Sequence, residues 1–309
     1  MGRRRAHSIR INVLTSVIFA TAAVFGPLPT AAARTLSQEL RVEAITADGV
    51  TLAGTYYSGA RRPVVGLLFV HGFTADHRAE PGASLGSAMA ARGYSSLALD
   101  MRDQGCCVQT TLFEDALADI GAGVEYLERS GATRLVLIGH SLGANRVAYY
   151  QAQSQRPSVE AIVLLASAGN THDRARELSP ALAARIIAEA QRRDAEGSQE
   201  LLLAALGPFG IHLFTAASLL SYGGPETRSD HLQWVSEIRV PLLLVHGAAD
   251  ALTPVEQSEL GAAAASAAPL KQLAILDEAD HFFSGHGHEL ANLIDDWLAS
   301  TLSDSRAVS

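Results

Sequence analysis

A serine flanked by glycines marks the first residues with the chemistry of an active site. The segment Gly139-His140-Ser141-Leu142-Gly143 follows a short apolar run and precedes a stretch with helical patterning. The spacing G-x-S-x-G between a strand and a helix is typical of a sharp, strained turn that lifts the serine hydroxyl clear of a sheet. A helix starting at Leu142 directs a backbone amide and its positive end at developing negative charge. We therefore predict Ser141 as nucleophile and the Leu142 amide as one oxyanion donor.

A serine nucleophile needs a base, and the base needs an orienting acid. The apolar run Leu242–Val245 leads into Asp250, and the apolar run Leu273–Leu276 leads into His281. The carboxyl ends of parallel strands share one edge of a sheet, so both side chains are expected near Ser141. We predict His281 as general base and Asp250 as the acid that orients it. Weaker acid candidates share the loop of His281: Asp277, Glu278 and Asp280.

A second oxyanion donor is expected from the loop that follows the apolar run Val64–Val70. This run ends in His71-Gly72-Phe73-Thr74. Gly72 lets the backbone come close to the serine, so we predict the Phe73 amide as the second donor. The ring of His71 is expected to hold the loop by hydrogen bonds, because His281 already accounts for the base.

Together these motifs resemble those of the α/β-hydrolase superfamily. The resemblance rests on His71-Gly72-Phe73, the segment around Ser141, His246-Gly247 with Asp250, and Asp280-His281-Phe282. It extends from about Leu40 to Leu302. The resemblance implies a Ser–His–Asp triad and a cap, inserted between the sixth and seventh strands, that shapes the substrate pocket.

One segment departs from the pattern of that superfamily. The run Asp100-Met101-Arg102-Asp103-Gln104-Gly105-Cys106-Cys107 stands where relatives often carry Asp, Arg, Gly, two more residues and Ser. We therefore do not infer substrate specificity from relatives. The Cα atoms of the adjacent cysteines lie about 3.8 Å apart, below the roughly 4.4–6.8 Å of ordinary disulfides. Two free thiols are the favoured interpretation, with a strained vicinal disulfide as the alternative that export permits.

Strands and helices alternate along most of the chain. Two alternating runs around Asp48-Gly49, Leu40–Thr46 and Val50–Tyr57, predict a hairpin. The buried strands expected after it are Val64–Val70, Ser95–Leu99, Leu135–Ile138, Ala161–Leu165, Leu242–Val245 and Leu273–Leu276. The helices expected between them are Ser84–Ala91, Leu112–Leu127, Leu142–Gln153, Val255–Ala267 and Glu289–Leu302. This order predicts an α/β fold with a doubly wound, mostly parallel sheet.

One interval, between Asn170 and Trp234, lacks a convincing strand. Helical patterning occurs at Pro180–Arg193 and Glu200–Leu206, and the interval is far longer than the usual connection of about two to six residues. We predict an inserted helical cap at about residues 171–233. Its apolar residues either line a substrate pocket or pack on the body: Leu201–Leu203, Leu206, Phe209, Ile211, Leu213, Phe214, Leu219 and Leu220.

The N-terminal residues are expected to lie outside the fold. A basic start with Arg3, Arg4, Arg5 and Arg10, an apolar stretch at Ile11–Phe25 and the run Ala31-Ala32-Ala33 follow one another. That order is typical of a secretory signal peptide, and the apolar stretch is short for a membrane span of roughly 20 residues. We predict a signal peptide at residues 1–33 and a secreted or periplasmic hydrolase domain at residues 34–309. An uncleaved anchor and twin-arginine export are alternatives.

Charge and composition narrow the partners. A formal charge of −8 in 309 residues argues against a nucleic-acid partner, which requires a basic face. No cofactor or metal is expected, although His286 and His288 with Asp280 form a minor candidate for a metal site. We expect a small-molecule ester as the partner and no stable membrane association after removal of the signal peptide.

Hydrolysis of a carboxylic ester through an acyl-enzyme is the leading functional interpretation. The sharp turn that carries Ser141 is called the elbow below. A serine there disfavours dehalogenases and epoxide hydrolases, which resemble this fold but carry aspartate at that position. A carbon–carbon bond hydrolase or a lyase on the same triad is the alternative, because a fold does not decide a function. A receptor that retains the pocket only for ligand binding is disfavoured by the intact triad.

If residues 1–33 are a signal peptide, cleavage leaves Arg34 as the first residue. Mass spectrometry of protein exported by a bacterial host should therefore show a mature start near Arg34. An intact Met1 in the membrane fraction would contradict cleavage, because a retained apolar stretch holds the chain in the bilayer.

Overall fold

A central eight-stranded sheet organises the part of the chain that the computed structural model describes, namely residues 39–59, 65–105, 107–198, 202–205 and 210–303. The predicted signal peptide lies outside these residues. The strands, in chain order, are β1 (Glu39–Ile45), β2 (Thr51–Tyr57), β3 (Val65–Val70), β4 (Ser95–Leu99), β5 (Val108–Gln109), β6 (Arg134–His140), β7 (Val159–Leu165), β8 (Leu202–Ala205), β9 (Ile211–Phe214), β10 (Leu242–Gly247) and β11 (Lys271–Leu276).

The central sheet has the order β1-β2-β4-β3-β6-β7-β10-β11. Strands β1 and β2 form an antiparallel hairpin, and β2 also pairs with β4 in the antiparallel sense. Along the rest of this sheet, from β4 through β3, β6, β7 and β10 to β11, every pairing of neighbouring strands is parallel. The prediction of a doubly wound, mostly parallel sheet is therefore confirmed.

Helices cover both faces of this sheet, and further helices lie in the segment of residues 171–233. In chain order, the helices of the described residues are α1 (Gly82–Ala91), α2 (Ala116–Arg129), α3 (Leu142–Ser154), α4 (Thr171–Leu178), α5 (Pro180–Ala195), α6 (Ala216–Gly223), α7 (Leu232–Val235), α8 (Glu256–Ala264) and α9 (Gly287–Ser303). Within the described ranges, no helix combines the length and the apolarity that crossing a bilayer requires.

Strand β6 shows why the central strands are continuous apolar runs. Successive side chains of a strand point to opposite faces of its sheet. Leu135 and Leu137 pack into the apolar cluster that contains residues of α2 and α3, whereas Val136 and Ile138 pack into the cluster with α1 and α9. Both faces are buried, so neither set of positions tolerates a polar side chain.

The segment of residues 171–233, called the cap segment below, is not purely helical. It contains β8 and β9, which pair with each other in the antiparallel sense, and β9 pairs with β5 to complete a second, three-stranded sheet. The predicted helix at Glu200–Leu206 is therefore wrong for Leu202–Ala205. The helical preference of leucine and alanine is weak, and pairing with β9 overrides it.

Apolar residues of the cap segment pack largely on one another. Leu202, Phe214 and Leu219 are buried together with Ala190 of α5, whereas Ile211 is exposed. The three buried side chains thus pack inside the cap segment, and Phe73 of the body is partly buried against the same cluster. Leu201, Leu206 and Phe209 lie outside the described residues.

The oxidation state of the adjacent cysteines differs from the favoured interpretation of two free thiols. Cys107 is disulfide-bonded, and the described residues contain no free cysteine. The sequence contains one other cysteine, Cys106, which lies outside the described residues. The preference for two free thiols is therefore wrong. The Cys107 carbonyl oxygen accepts a hydrogen bond of 2.7 Å from the Leu213 amide, which ties this point of the chain to β9.

A single residue joins β6 to α3. Strand β6 ends at His140 and α3 begins at Leu142, which leaves Ser141 alone at the turn with φ 55° and ψ −122°. A Cβ atom at Gly143 would lie 2.1 Å from the Val70 carbonyl oxygen, and one at Gly139 would lie 2.3 Å from the Gly143 carbonyl oxygen. The glycines of the motif are thus required by close approach of backbone to backbone.

Gly143→Ala should lower the free energy of unfolding by about 3 kcal/mol, at the upper end of overpacking costs, because backbone atoms leave no room for the methyl group. Gly121→Ala is the matched control, since a Cβ atom there meets nothing within 4 Å. We expect the control to be more stable by about 0.5–1 kcal/mol, the advantage of alanine inside a helix. Equilibrium unfolding in urea measures both, and equal midpoints would contradict the close approach at Gly143.

Candidate active site

Ser141 lies at the carboxyl edge of the sheet, where β6 turns into α3. Its positive φ is unusual for a residue other than glycine and is a form of strain that concentrates at functional sites. The backbone of the predicted oxyanion loop passes directly beside it, because a Cβ atom at Gly72 would lie 3.0 Å from the Ser141 Cβ and 3.5 Å from its Oγ. Phe73 follows in that loop, and Leu142 follows Ser141. The two predicted oxyanion donors therefore belong to segments that meet at the serine.

Asp250 and His281 lie together in loops at the same edge of the sheet. Asp250 follows β10 and His281 follows β11, which is the neighbouring strand. His281 Nδ1 is 2.7 Å from Asp250 Oδ2, and both side chains are almost fully buried. An ionised carboxylate only accepts hydrogen bonds, so Nδ1 carries the proton and Nε2 of the neutral ring has a free lone pair. This is the tautomer that a general base requires.

No hydrogen bond joins Ser141 to the His281 ring in the described part of the chain. The His281 loop is nevertheless fixed against the elbow, because His140 Nε2 lies 2.8 Å from the His281 carbonyl oxygen and the two rings are 4.8 Å apart. Burial, followed by the neighbouring His281, lowers the pKa of His140 to about 3. His140 is therefore neutral and donates Nε2–H to that carbonyl. Hydrogen bonds between nucleophile and base are often long before substrate binds.

Asp250 has two supporting side chains that sequence reasoning missed. His246 Nε2 lies 3.2 Å from Asp250 Oδ2, and the Thr253 hydroxyl donates to the same oxygen at 2.8 Å. Burial alone raises the pKa of the Asp250 carboxyl, but hydrogen bonds from His246, His281 and the Thr253 amide outweigh it and hold the pKa far below its usual range. The signal for His246 is its position four residues before Asp250 at the end of β10.

The ring of His71 ties the oxyanion loop to the neighbouring strand end. Its Nε2 accepts a hydrogen bond of 2.9 Å from the Met101 amide, so Nδ1 carries the proton and donates to the Gly72 carbonyl oxygen at 2.8 Å. Burial, together with the nearby Arg146, lowers the pKa of His71, which agrees with a neutral ring. The structure thus gives His71 the loop-holding role expected from the sequence.

The weaker acid candidates do not reach the His281 ring. Asp277 and Glu278 are exposed. Asp280 Oδ1 accepts the amides of Phe282 and Ser284, which shapes the turn after His281. The geometry therefore favours Asp250 over all three as the partner of the base.

The side chains of the candidate metal site, Asp280, His286 and His288, do not lie close enough together to bind one ion. His286 pairs with Glu289 at 3.0 Å on the surface. Within the described residues, the one group spaced to hold an ion is Asp76, His77 and Asp100. Its donor atoms already have partners, since His77 donates both its amide and Nδ1–H to Asp100 and the Asp76 carboxylate binds Arg78.

Comparison with solved structures agrees with this architecture. Est1E from Butyrivibrio proteoclasticus matches with a TM-score of 0.63 at 17% identity, over 85% of this chain and 99% of Est1E. The Pyrococcus furiosus esterase Pf2001 matches with a TM-score of 0.61 at 20% identity, over 89% of this chain and 96% of its own. The esterase domain of a Rhodothermus marinus protein matches with a TM-score of 0.59 at 20% identity, over 84% of this chain and 98% of that domain.

Sequence comparison agrees over a shorter stretch. Among curated proteins no sequence matches the chain. The family model described as serine aminopeptidase, S33, matches residues 62–199, which include residues 71–74 and the turn at Ser141. The matched segment resembles that family, and the solved structures show that the chain has the α/β-hydrolase fold.

Proposed function

We propose that this protein is an exported serine hydrolase that cleaves a carboxylic ester through an acyl-enzyme. The observation that carries the proposal is the bond between Asp250 and His281, beside a serine held at a strained turn. In this mechanism Ser141 attacks the ester carbonyl carbon and His281 Nε2 takes its proton. Asp250 orients the ring and stabilises its cationic form.

The same geometry supports an oxyanion site. As the carbonyl carbon becomes tetrahedral, its oxygen gains negative charge, and the amides of Phe73 and Leu142 donate to it. His281 then returns the proton to the leaving alkoxide. A water molecule then attacks the acyl carbon, with His281 again as base, and the acid is released from Ser141.

The substrate class rests on likeness to other proteins. Pf2001 and the Rhodothermus marinus domain are named as esterases, and one structure of Est1E has ferulic acid bound. This likeness supports a small-molecule carboxylic ester. The test measures turnover of a panel of esters graded by acyl-chain length and of compounds with an activated carbon–carbon bond. Turnover of the esters alone separates ester hydrolysis from cleavage of a carbon–carbon bond by the same residues.

Ser141→Ala should lower ester turnover by about 10³-fold or more, to the rate left by binding and the oxyanion donors. A fluorophosphonate probe should label the native chain at one residue, Ser141, as located by peptide mass spectrometry. Ser284→Ala is the matched control, because Ser284 is an exposed serine in the loop of His281. Its turnover and labelling should equal those of the native protein. A folded Ser141→Ala protein with near-native turnover would refute the proposal.

Asp250→Asn should lower kcat by about 10²–10⁴-fold, because an amide in place of the carboxylate favours the wrong tautomer of His281. Asp280→Asn is the control in the neighbouring loop, since an asparagine oxygen still accepts the amides of Phe282 and Ser284. We expect less than about a threefold change for it, at the scale of surface substitutions. Thermal unfolding of both variants separates catalysis from folding, and a larger kcat loss for Asp280→Asn would transfer the acid role to Asp280.

A further inference from the structure

Arg146 is a charged side chain deep in the interior. It lies on α3, five residues after Ser141, and at 1% exposure it is the largest fully buried side chain of the described residues. A buried guanidinium is strongly unfavourable unless partners satisfy its charge and its donors. Its partners therefore indicate why the position is charged.

The partners of Arg146 come from two other parts of the fold. Its Nη2 forms an ion pair with Asp103 Oδ2, in the loop after β4. The same carboxylate oxygen accepts a hydrogen bond of 2.6 Å from the hydroxyl of Tyr222, on α6 of the cap segment. The three side chains form one network, called the buried network below, in which each polar group has a buried partner.

The buried network also reaches the oxyanion loop. Arg146 Nη1 donates to the His71 carbonyl oxygen at 3.4 Å, two residues before Phe73. On the other side, the rings of Phe73 and Tyr222 lie 6.4 Å apart, and Tyr222 packs in one apolar cluster with Leu142. Both predicted oxyanion donors are thus next to members of the buried network.

Directional bonds distinguish this arrangement from ordinary core packing. Apolar side chains of similar size fill space equally well, and replacing a buried ion pair by them is often neutral for stability. Packing alone, however, does not fix a carbonyl group to within the few tenths of an ångström that an oxyanion site requires. An arginine that donates to the loop carbonyl and to Asp103 does fix it.

We propose that Arg146, Asp103 and Tyr222 are positioning residues that hold the oxyanion loop in its working geometry and make that geometry depend on the docking of α6. None of the three touches the reacting atoms. They act through the His71 peptide and the Phe73 ring. The expected effect on kcat rests on the proposed ester hydrolysis, whereas the expected effect on the geometry of the loop does not.

The test compares Tyr222→Phe with Tyr149→Phe. The first removes the hydroxyl that binds Asp103 and keeps the ring. The second removes a hydroxyl from the same apolar cluster, on α3, without a bond to the buried network. For p-nitrophenyl butyrate we expect Tyr222→Phe to lower kcat roughly tenfold, less than the 10²–10³-fold that loss of an oxyanion donor costs, with KM changed less than about twofold. Tyr149→Phe should change neither constant by more than about twofold.

Hydrogen–deuterium exchange of the full chain supplies the second readout. Peptides covering residues 71–75 should exchange faster in Tyr222→Phe than in the native protein, and at the native rate in Tyr149→Phe. Equal exchange in the two variants, or an equal kcat loss in both, would overturn the inference. If the native protein hydrolyses no ester, the proposed function fails, and the exchange comparison alone still supports or overturns the positioning role.

Discussion

The tight turn between β6 and α3 is the constraint on which the rest of the site depends. One residue reverses the chain from strand to helix, and it does so with a positive φ at Ser141. The turn exists because β6 is flanked by β3 and β7, with Gly143 packed against the Val70 and His71 carbonyl oxygens. The ends of the neighbouring strands are therefore held within reach of the serine, and the loops that follow them carry the other candidate residues.

Two buried carboxylates stabilise the two sides of this edge. Asp250 binds His281, the candidate base, and Asp103 binds Arg146 beside the candidate oxyanion loop. Burial raises the pKa of each carboxyl, yet hydrogen bonds and the facing positive charge of Arg146 at Asp103 leave both values below their usual range. Both groups thus stay ionised where a lone carboxyl would take up a proton. One sheet edge therefore carries two fixed negative charges. The Arg146 cation neutralises the charge of Asp103, and hydrogen-bond donors stabilise the charge of Asp250.

Local sequence predicted what depends on local sequence. The central strands and the elbow follow from apolar runs and glycine spacing, and they lie where they were expected. Strand β8 was missed because leucine and alanine favour a helix, and only pairing with β9 makes them a strand. His246 and Arg146 were missed for a related reason. Their partners are set by tertiary contacts, and an arginine on a helix ordinarily faces solvent.

The loop after β4 explains why the departure from the superfamily pattern matters. Asp103 lies in the segment that departs from that pattern, and it is the residue that binds Tyr222 of the cap segment. Further along, the Cys107 and Gln109 carbonyl oxygens accept the amides of Leu213 and Thr215, so the same loop also anchors β9.

The Met101 amide in that loop donates a hydrogen bond to the ring of His71. The loop after β4 therefore contacts both the candidate oxyanion loop and the cap segment. A change in this loop therefore acts on two things together, the placement of the cap segment and the geometry beside Ser141. Asp103 contributes to both, because its carboxylate binds Tyr222 of the cap segment and also Arg146, which donates to the His71 carbonyl oxygen. The geometry beside Ser141 therefore depends on the loop after β4 as much as on the turn at Ser141 and on the candidate base, His281.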